Sequence, residues 1–139
     1  MAITSAVCDS YTQELFSGTH TNTDTYKISL YTSTATLSAS TTAYSATNEV
    51  SGVGYTAGGA TLTGFATSLD TGVAILDFTT DPTWTTATIT ARGALIYNSS
   101  KTNKSVCVLD FGSDITSTAG TFTVQFPAAT AAAGLVRIS

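Results

Sequence analysis

This chain uses threonine, serine and alanine where most soluble domains use lysine and glutamate. Only 10% of its 139 residues are charged, against roughly 25% in an ordinary soluble domain. Lys, Glu, Gln and Arg favour helix surfaces, whereas Thr and the other β-branched types suit the pleated, half-buried face of a strand. Exchanging one group for the other predicts sheets. The hydrophobic content of 42% is near the globular average and predicts a folded chain. The length fits a single domain, residues 1–139, whose core needs neither disulfides nor a metal.

The few charges narrow the partners. The net charge is −4, and the basic residues are Lys27, Arg92, Lys101, Lys104 and Arg137, of which only Lys101 and Lys104 lie close together. No basic stripe exists to neutralise phosphates, so no nucleic-acid partner is expected. No apolar run is long enough to span a membrane as a helix. Met1 to Ala6 has neither a basic segment nor a following apolar run, so no signal peptide is expected. Cys8 and Cys107 are too few for a disulfide framework and too far apart in sequence for a metal motif. They read as buried, reduced thiols.

The pattern along the chain predicts one helix and about seven strands. Thr4 or Ser5 caps a helix running to about Phe16, with Val7, Tyr11 and Leu15 on one face and Gly18 as its stop. After a polar linker, Thr19 to Asp24, residues Tyr26 to Tyr31 alternate as a strand with one buried face. Thr32 to Gly59 carries a single charge, Glu49, and is rich in Ser, Thr, Ala and Gly. So long a stretch without periodicity reads as an extended excursion, a contact arm or inter-subunit loop.

Thr61 to Leu69 and Val73 to Phe78 then form a hairpin around Asp70-Thr71-Gly72. Asp81-Pro82 marks a turn before Trp84, and Thr86 to Tyr97 is a long strand. Its interior Arg92-Gly93 signals a bulge or a close backbone approach. Ser105 to Phe111, Thr121 to Phe126 and Leu135 to Ile138 complete the set, with Ala128 to Ala133 as a flexible joint. With no βαβ alternation, the expected fold is an antiparallel β-sandwich, Ig-like or jelly-roll-like, with one short N-terminal helix.

Catalytic chemistry is thinly supplied. The single histidine, His20, sits in the polar linker and reads as solvated rather than as a general base. Gly52 to Gly59 is glycine-rich but lacks the Gly-Lys-Ser/Thr ending of a phosphate loop, so its glycines read as turn residues. No acid run matches a calcium loop, and neither metal nor cofactor is expected. Asp77 and Asp110 lie inside apolar strands, where a carboxylate needs a partner, and Arg92 also interrupts a strand. Arg92 is therefore expected to pair with one of them as a structural bridge; a paired-carboxylate active site is the sharper alternative. Trp84, Tyr55 and Tyr97 read as core, with an aromatic sugar-binding platform as the alternative. Asn98-Ser99-Ser100 and Asn103-Lys104-Ser105 match the glycosylation pattern by chance.

Several segments together resemble a group of small tailed-bacteriophage structural proteins. The runs are Thr-Tyr-Lys-Ile-Ser-Leu-Tyr-Thr (Thr25–Thr32), Glu-Val-Ser-Gly-Val-Gly-Tyr-Thr-Ala-Gly-Gly (Glu49–Gly59) and Arg-Gly-Ala-Leu-Ile-Tyr (Arg92–Tyr97). Leu-Asp-Phe-Gly-Ser-Asp (Leu109–Asp114) and Gln-Phe-Pro-Ala (Gln125–Ala128) follow in order. The resemblance covers most of the chain and rests on turns and strands. It implies virion membership and no catalytic residues.

The expected role is a capsid decoration (cement) protein, made in the host cytoplasm and placed on the capsid surface. Its partners would be the major capsid protein and neighbouring copies of itself, as a trimer. The alternatives are a tail, fibre-attachment or adaptor protein, and a virion-surface module binding host glycan. Glu49, Tyr55, Trp84, Arg92, Asp77 and Asp110 are the candidate structural or contact residues. Ile28 to Asn48, Val50 to Leu69 and Ile115 to Val136 carry no charge at all and are the expected contact surfaces.

Overall fold

A computed structural model describes residues 2–138. In chain order the elements are β1 (Ala6–Val7), α1 (Asp9–Phe16), β2 (Tyr26–Tyr31), β3 (Ala60–Thr61), β4 (Phe65–Asp70), β5 (Val73–Phe78), β6 (Thr83–Asn98), a 3-10 turn (Ser99–Lys101), β7 (Lys104–Thr123) and β8 (Val136–Ile138). All strand pairs are antiparallel, in two sheets ordered β1-β7-β6-β2-β3 and β4-β5-β8. The fold is mainly β, sandwich-like, with one short helix, as the composition predicts.

The core between the sheets follows from alternation. Tyr26, Ile28 and Leu30 of β2 lie opposite Asn98, Ile96 and Ala94 of β6 and share a face. Phe65, Leu76, Phe78 and Val136 of the smaller sheet face them, and the rings of Tyr26, Phe65 and Phe78 pack with centroids 5.4 to 5.8 Å apart. Ile28, Leu30, Leu95 and Ile96 are fully buried, worth about 1.5–3 kcal/mol each.

The opposite face of the larger sheet is not open to solvent. Ser29 and Tyr31 of β2 are as buried as their neighbours, and so are Leu95, Tyr97, Ser105 and Val108. Their cover is the segment 32–59, which corrects the extended arm expected from sequence. The segment lies back across its own sheet without a regular element. Glu49 bridges Tyr31, Val53 bridges Thr88, and Ala43 bridges Lys104. Ala35, Leu37 and Val50 enter the core. Ile28–Tyr31, Ala35 and Leu37 of the uncharged stretch Ile28–Asn48 are thus buried within the chain, while much of Thr32–Asn48 keeps an exposed side. The single-faced strand expected at Tyr26–Tyr31 is corrected for the same reason.

Other boundaries move for physical reasons. The helix starts at Asp9, not Thr4, because Ala6–Val7 pairs with Val108–Cys107 along the exposed edge of β7. Ser5 caps nothing; its hydroxyl accepts the Asp110 N–H at 2.7 Å. Val7, Tyr11 and Leu15 therefore do not form one helical face. The strand expected at Thr61–Leu69 is split, because the chain changes sheets at Leu62–Gly64. Gly64 makes the corner at φ +79°, against Thr79. The segment expected as a strand at Thr121–Phe126 is the end of β7 followed by irregular chain, yet Phe122, Val124 and Phe126 are all buried.

β6 and β7 run side by side for most of their length, with an interruption. Between the pairs Ala91↔Ile115 and Gly93↔Asp110, β7 carries Phe111 to Asp114 against Arg92 alone. This bulge falls at the Arg92-Gly93 signal. A Cβ on Gly93 would lie 2.6 Å from the Leu109 carbonyl, so both readings of that glycine hold.

Gly59 gives a direct test of the cover. Its φ is +81°, and a Cβ there would collide with the Ile28 carbonyl. Gly59→Ala is expected to lose about 3 kcal/mol or more, read as a lower urea midpoint. Gly72→Ala, at a turn with a similar φ of +85° but open space around it, keeps the backbone strain without the collision and should lose less, about 1 kcal/mol.

Candidate functional site

Glu49 is the hub of the cover. Its Oε1 accepts the Tyr44 hydroxyl at 2.6 Å. Its Oε2 accepts the Tyr55 hydroxyl at 2.6 Å and the Gly58 N–H at 2.8 Å. Tyr55 also accepts the Leu30 N–H at 2.9 Å, which ties the cluster to β2. Tyr97 of β6 donates to the Gly58 carbonyl at 2.6 Å, and its ring stacks on Tyr44 with centroids 4.8 Å apart. Tyr31 donates to the Ser45 carbonyl at 2.7 Å, and Ser105 to the Thr41 carbonyl at 2.6 Å. Burial and the adjoining carboxylate push the Tyr44 and Tyr55 phenols well above their ordinary value. Burial pushes Tyr31 up to about 12. These hydroxyls stay protonated and serve as donors, and both oxygens of the carboxylate are engaged. The arrangement is a clamp that fastens residues 41–58 to the central sheet.

Of the other expected residues, Trp84 packs against the margin of this cluster, and Arg92, Asp110 and Asp77 sit apart from it. Trp84 is buried beside Tyr55 and Phe122, at centroid distances of 5.9 and 6.1 Å. Tyr97 is buried as well, so the three aromatics form no exposed row on which a sugar could stack. Arg92 Nε lies 3.1 Å from Asp110 Oδ1, and the same oxygen accepts the Gly112 N–H at 2.9 Å. The bulge N–H and then the guanidinium hold the Asp110 carboxyl below its ordinary value. Asp77 is elsewhere, in the smaller sheet, so the two acids make no pair. Burial raises its carboxyl, against one hydrogen bond from the Phe78 N–H and with Asp81 nearby.

His20 is the correction with the most chemistry in it. The residue expected to be solvated has a side chain only 1% exposed. Its Nδ1 lies 3.0 Å from Asn98 Nδ2, a donor, so Nε2 carries the proton and donates to Glu14 Oε1 at 2.9 Å. Lys104 closes on Glu14 Oε2 at 2.9 Å. Asn98, fully buried, also donates to Asp24 Oδ2 at 2.8 Å, and Lys101 approaches Asp24 Oδ1 at 3.6 Å. Burial tends to raise both carboxyls, but these donors and cations win and hold Glu14 and Asp24 below the ordinary value. The chain Lys104–Glu14–His20–Asn98–Asp24–Lys101 pins α1 and the linker to the ends of β6 and β7. Its members are scattered from residue 14 to 104; only the close pair of lysines gave any sign of it in sequence.

Backbone groups engage part of the remaining charge, as where Asp70 and Asp81 accept the Ala131 and Phe126 N–H groups. Arg137 donates to the Ala131 and Ala132 carbonyls. Cys8 and Cys107 are separate, buried thiols, both raised by burial. Among the described residues no cluster of His, Cys, Asp and Glu could hold a metal ion, and no helix is long and apolar enough to cross a membrane. The outward surface is dominated by hydroxyls. On the β6–β7 ribbon beyond the bulge, Thr85, Thr88, Thr90, Thr116, Thr118 and Thr121 are all exposed, and neither Thr83–Ala91 nor Ile115–Thr123 contains a charge. No protein-family model, curated protein or solved structure matches the chain.

Two substitutions test the polar interior. Glu49→Ala leaves two phenols and an N–H without their acceptor and is expected to cost about 2 kcal/mol. Glu49→Gln, which keeps one acceptor oxygen, should cost less; urea unfolding separates them. Asp77 is the opposite case. Its raised folded pKa means that ionisation costs stability as pH rises through that value. Asp77→Asn should therefore unfold at higher urea than the parent at pH 7, and the gap should close near pH 3, where both side chains are neutral.

Proposed function

We propose that this chain is a structural protein of a tailed-bacteriophage virion, a capsid decoration protein that binds and braces the major capsid shell. One observation carries the reading: most of the charged side chains hold ion pairs or hydrogen bonds within the chain, and a long ribbon of exposed, uncharged threonines is left outside. Burying Lys or Glu at an interface costs desolvation and roughly 1.5–2 kcal/mol of side-chain entropy each. A β-branched Thr is already stiff at χ1, and its hydroxyl both donates and accepts. Such a surface binds weakly at any one contact and loses little on docking. Repeated over a shell, weak contacts add up to large stabilisation. The sequence resemblance to tailed-phage structural proteins supports the same reading.

The test is binding to phage heads assembled without the chain. Co-sedimentation should saturate at hundreds of copies per particle, and Thr90→Lys with Thr118→Lys should lower the occupancy severalfold. Saturation at a handful of copies would favour a tail or adaptor role. No binding to heads or tails would sink the virion reading.

A further inference from the structure

The smaller sheet has an unguarded edge. Gly64 accepts the Thr79 N–H at 2.9 Å, which makes that pair hydrogen-bonded and sets the alternation along β4 and β5. Ala66, Ser68 and Asp70 then bond to Asp77, Ile75 and Val73, as a two-residue hairpin at Thr71-Gly72 also requires. The N–H and C=O groups of Phe65, Thr67 and Leu69 point the other way. Among the described residues none of them has a hydrogen-bond partner. Leu69 is 75% exposed, and Thr67 and Ser68 are exposed beside it.

Other edges are protected. The free margin of β7 is broken by the Phe111–Asp114 bulge and by the left-handed Ala119. β8 is three residues long with Arg137 at its centre, and β3 is two residues long. β4 is six residues in unbroken register, with no Lys, no Pro and no bulge.

We infer that β4 pairs with β4 of a second copy of this chain, antiparallel about a two-fold axis through Thr67. The outward groups fix this register. Thr67 meets Thr67 of the partner subunit, and Phe65 meets the partner's Leu69 on each side of the axis. All three outward N–H and C=O pairs of each strand are then satisfied. The exposed Leu69 covers the half-buried Phe65 ring on the same face, joining an apolar cross-strand pair of the kind that stabilises sheets. The charges also fit: the strand's only charge, Asp70, falls beyond the paired residues, already accepts the Ala131 N–H, and meets no like charge. The interface is isologous, the commonest closed symmetry. It stands on backbone geometry and does not depend on the capsid reading.

Sedimentation of the full chain across a concentration series should show a monomer–dimer equilibrium. Thr67→Lys puts two cations opposite each other on an exposed position and should raise the dissociation constant at least tenfold, with unchanged circular dichroism and an unchanged urea midpoint at concentrations where the parent is monomeric. Cross-linking reads the register. Hydrogen-bonded partners sit about 5.5 Å apart, within disulfide range, so Thr67→Cys should form a covalent dimer under mild oxidation. Leu69→Cys should not, because the two copies lie four residue steps apart, about 13 Å. A chain that stays monomeric throughout the series overturns the inference. So does a dimer unaffected by Thr67→Lys, or Leu69→Cys cross-linking as readily as Thr67→Cys.

Discussion

A sheet with two apolar faces has to be covered twice, and that requirement organises this molecule. The strands β2, β6 and β7 present Tyr26, Ile28, Leu30 and Ile96 on one side and Tyr31, Leu95, Tyr97 and Val108 on the other. The smaller sheet covers the first side. For the second the chain uses residues 32–59, which have little periodicity and few large apolar side chains. Hydrophobic burial by Ala35, Leu37 and Val50 alone is a modest adhesive, so directional bonds supply the rest.

That explains the role of tyrosine. A buried phenol brings a large apolar ring and one hydroxyl that must find an acceptor. Tyr31, Tyr44, Tyr55 and Tyr97 lie along the seam between cover and sheet, and each hydroxyl ends on a carbonyl of the cover or on Glu49. The one carboxylate in the excursion gathers two of them and a backbone N–H. A half-satisfied cluster of this kind would be worse than an apolar one, whereas a filled one fixes a single packing. The His20 chain plays the same part for α1. Between them the two networks, with the Arg92–Asp110 bridge, absorb seven of the fourteen charged side chains. The exterior is left to hydroxyls as a consequence.

The scarcity of charge also changes what the sheet edges expose. Many proteins guard an edge strand with lysine, and this one has five basic residues, three of them tied to carboxylates. β7 is guarded by shape instead, through its bulges. β4 has neither protection, and its central residues are stiff or hydroxylated rather than charged. A low-charge composition therefore favours self-pairing at a definite place, and the hairpin register decides which backbone groups are offered.

The class of structure is legible in local features of the chain. The threonine-for-lysine exchange, the strand-forming runs Tyr26–Tyr31 and Val73–Phe78, and the Asp70-Thr71-Gly72 turn are local signals, and each is expressed locally in the fold. The Arg92-Gly93 interruption likewise marked the bulge and an ion pair at Arg92, while the choice of Asp110 over Asp77 came from the fold. That Thr32–Gly59 is a cover, that Ala6–Val7 is strand rather than helix, and that His20 is buried follow from long-range packing. In each of these the outcome depends on a partner distant in sequence: Tyr97 and Leu30 for the cover, Cys107 and Val108 for the N-terminus, Asn98 for the histidine. Periodicity reports which face of a segment is apolar; it carries no information about whether something else in the chain arrives to cover the other face.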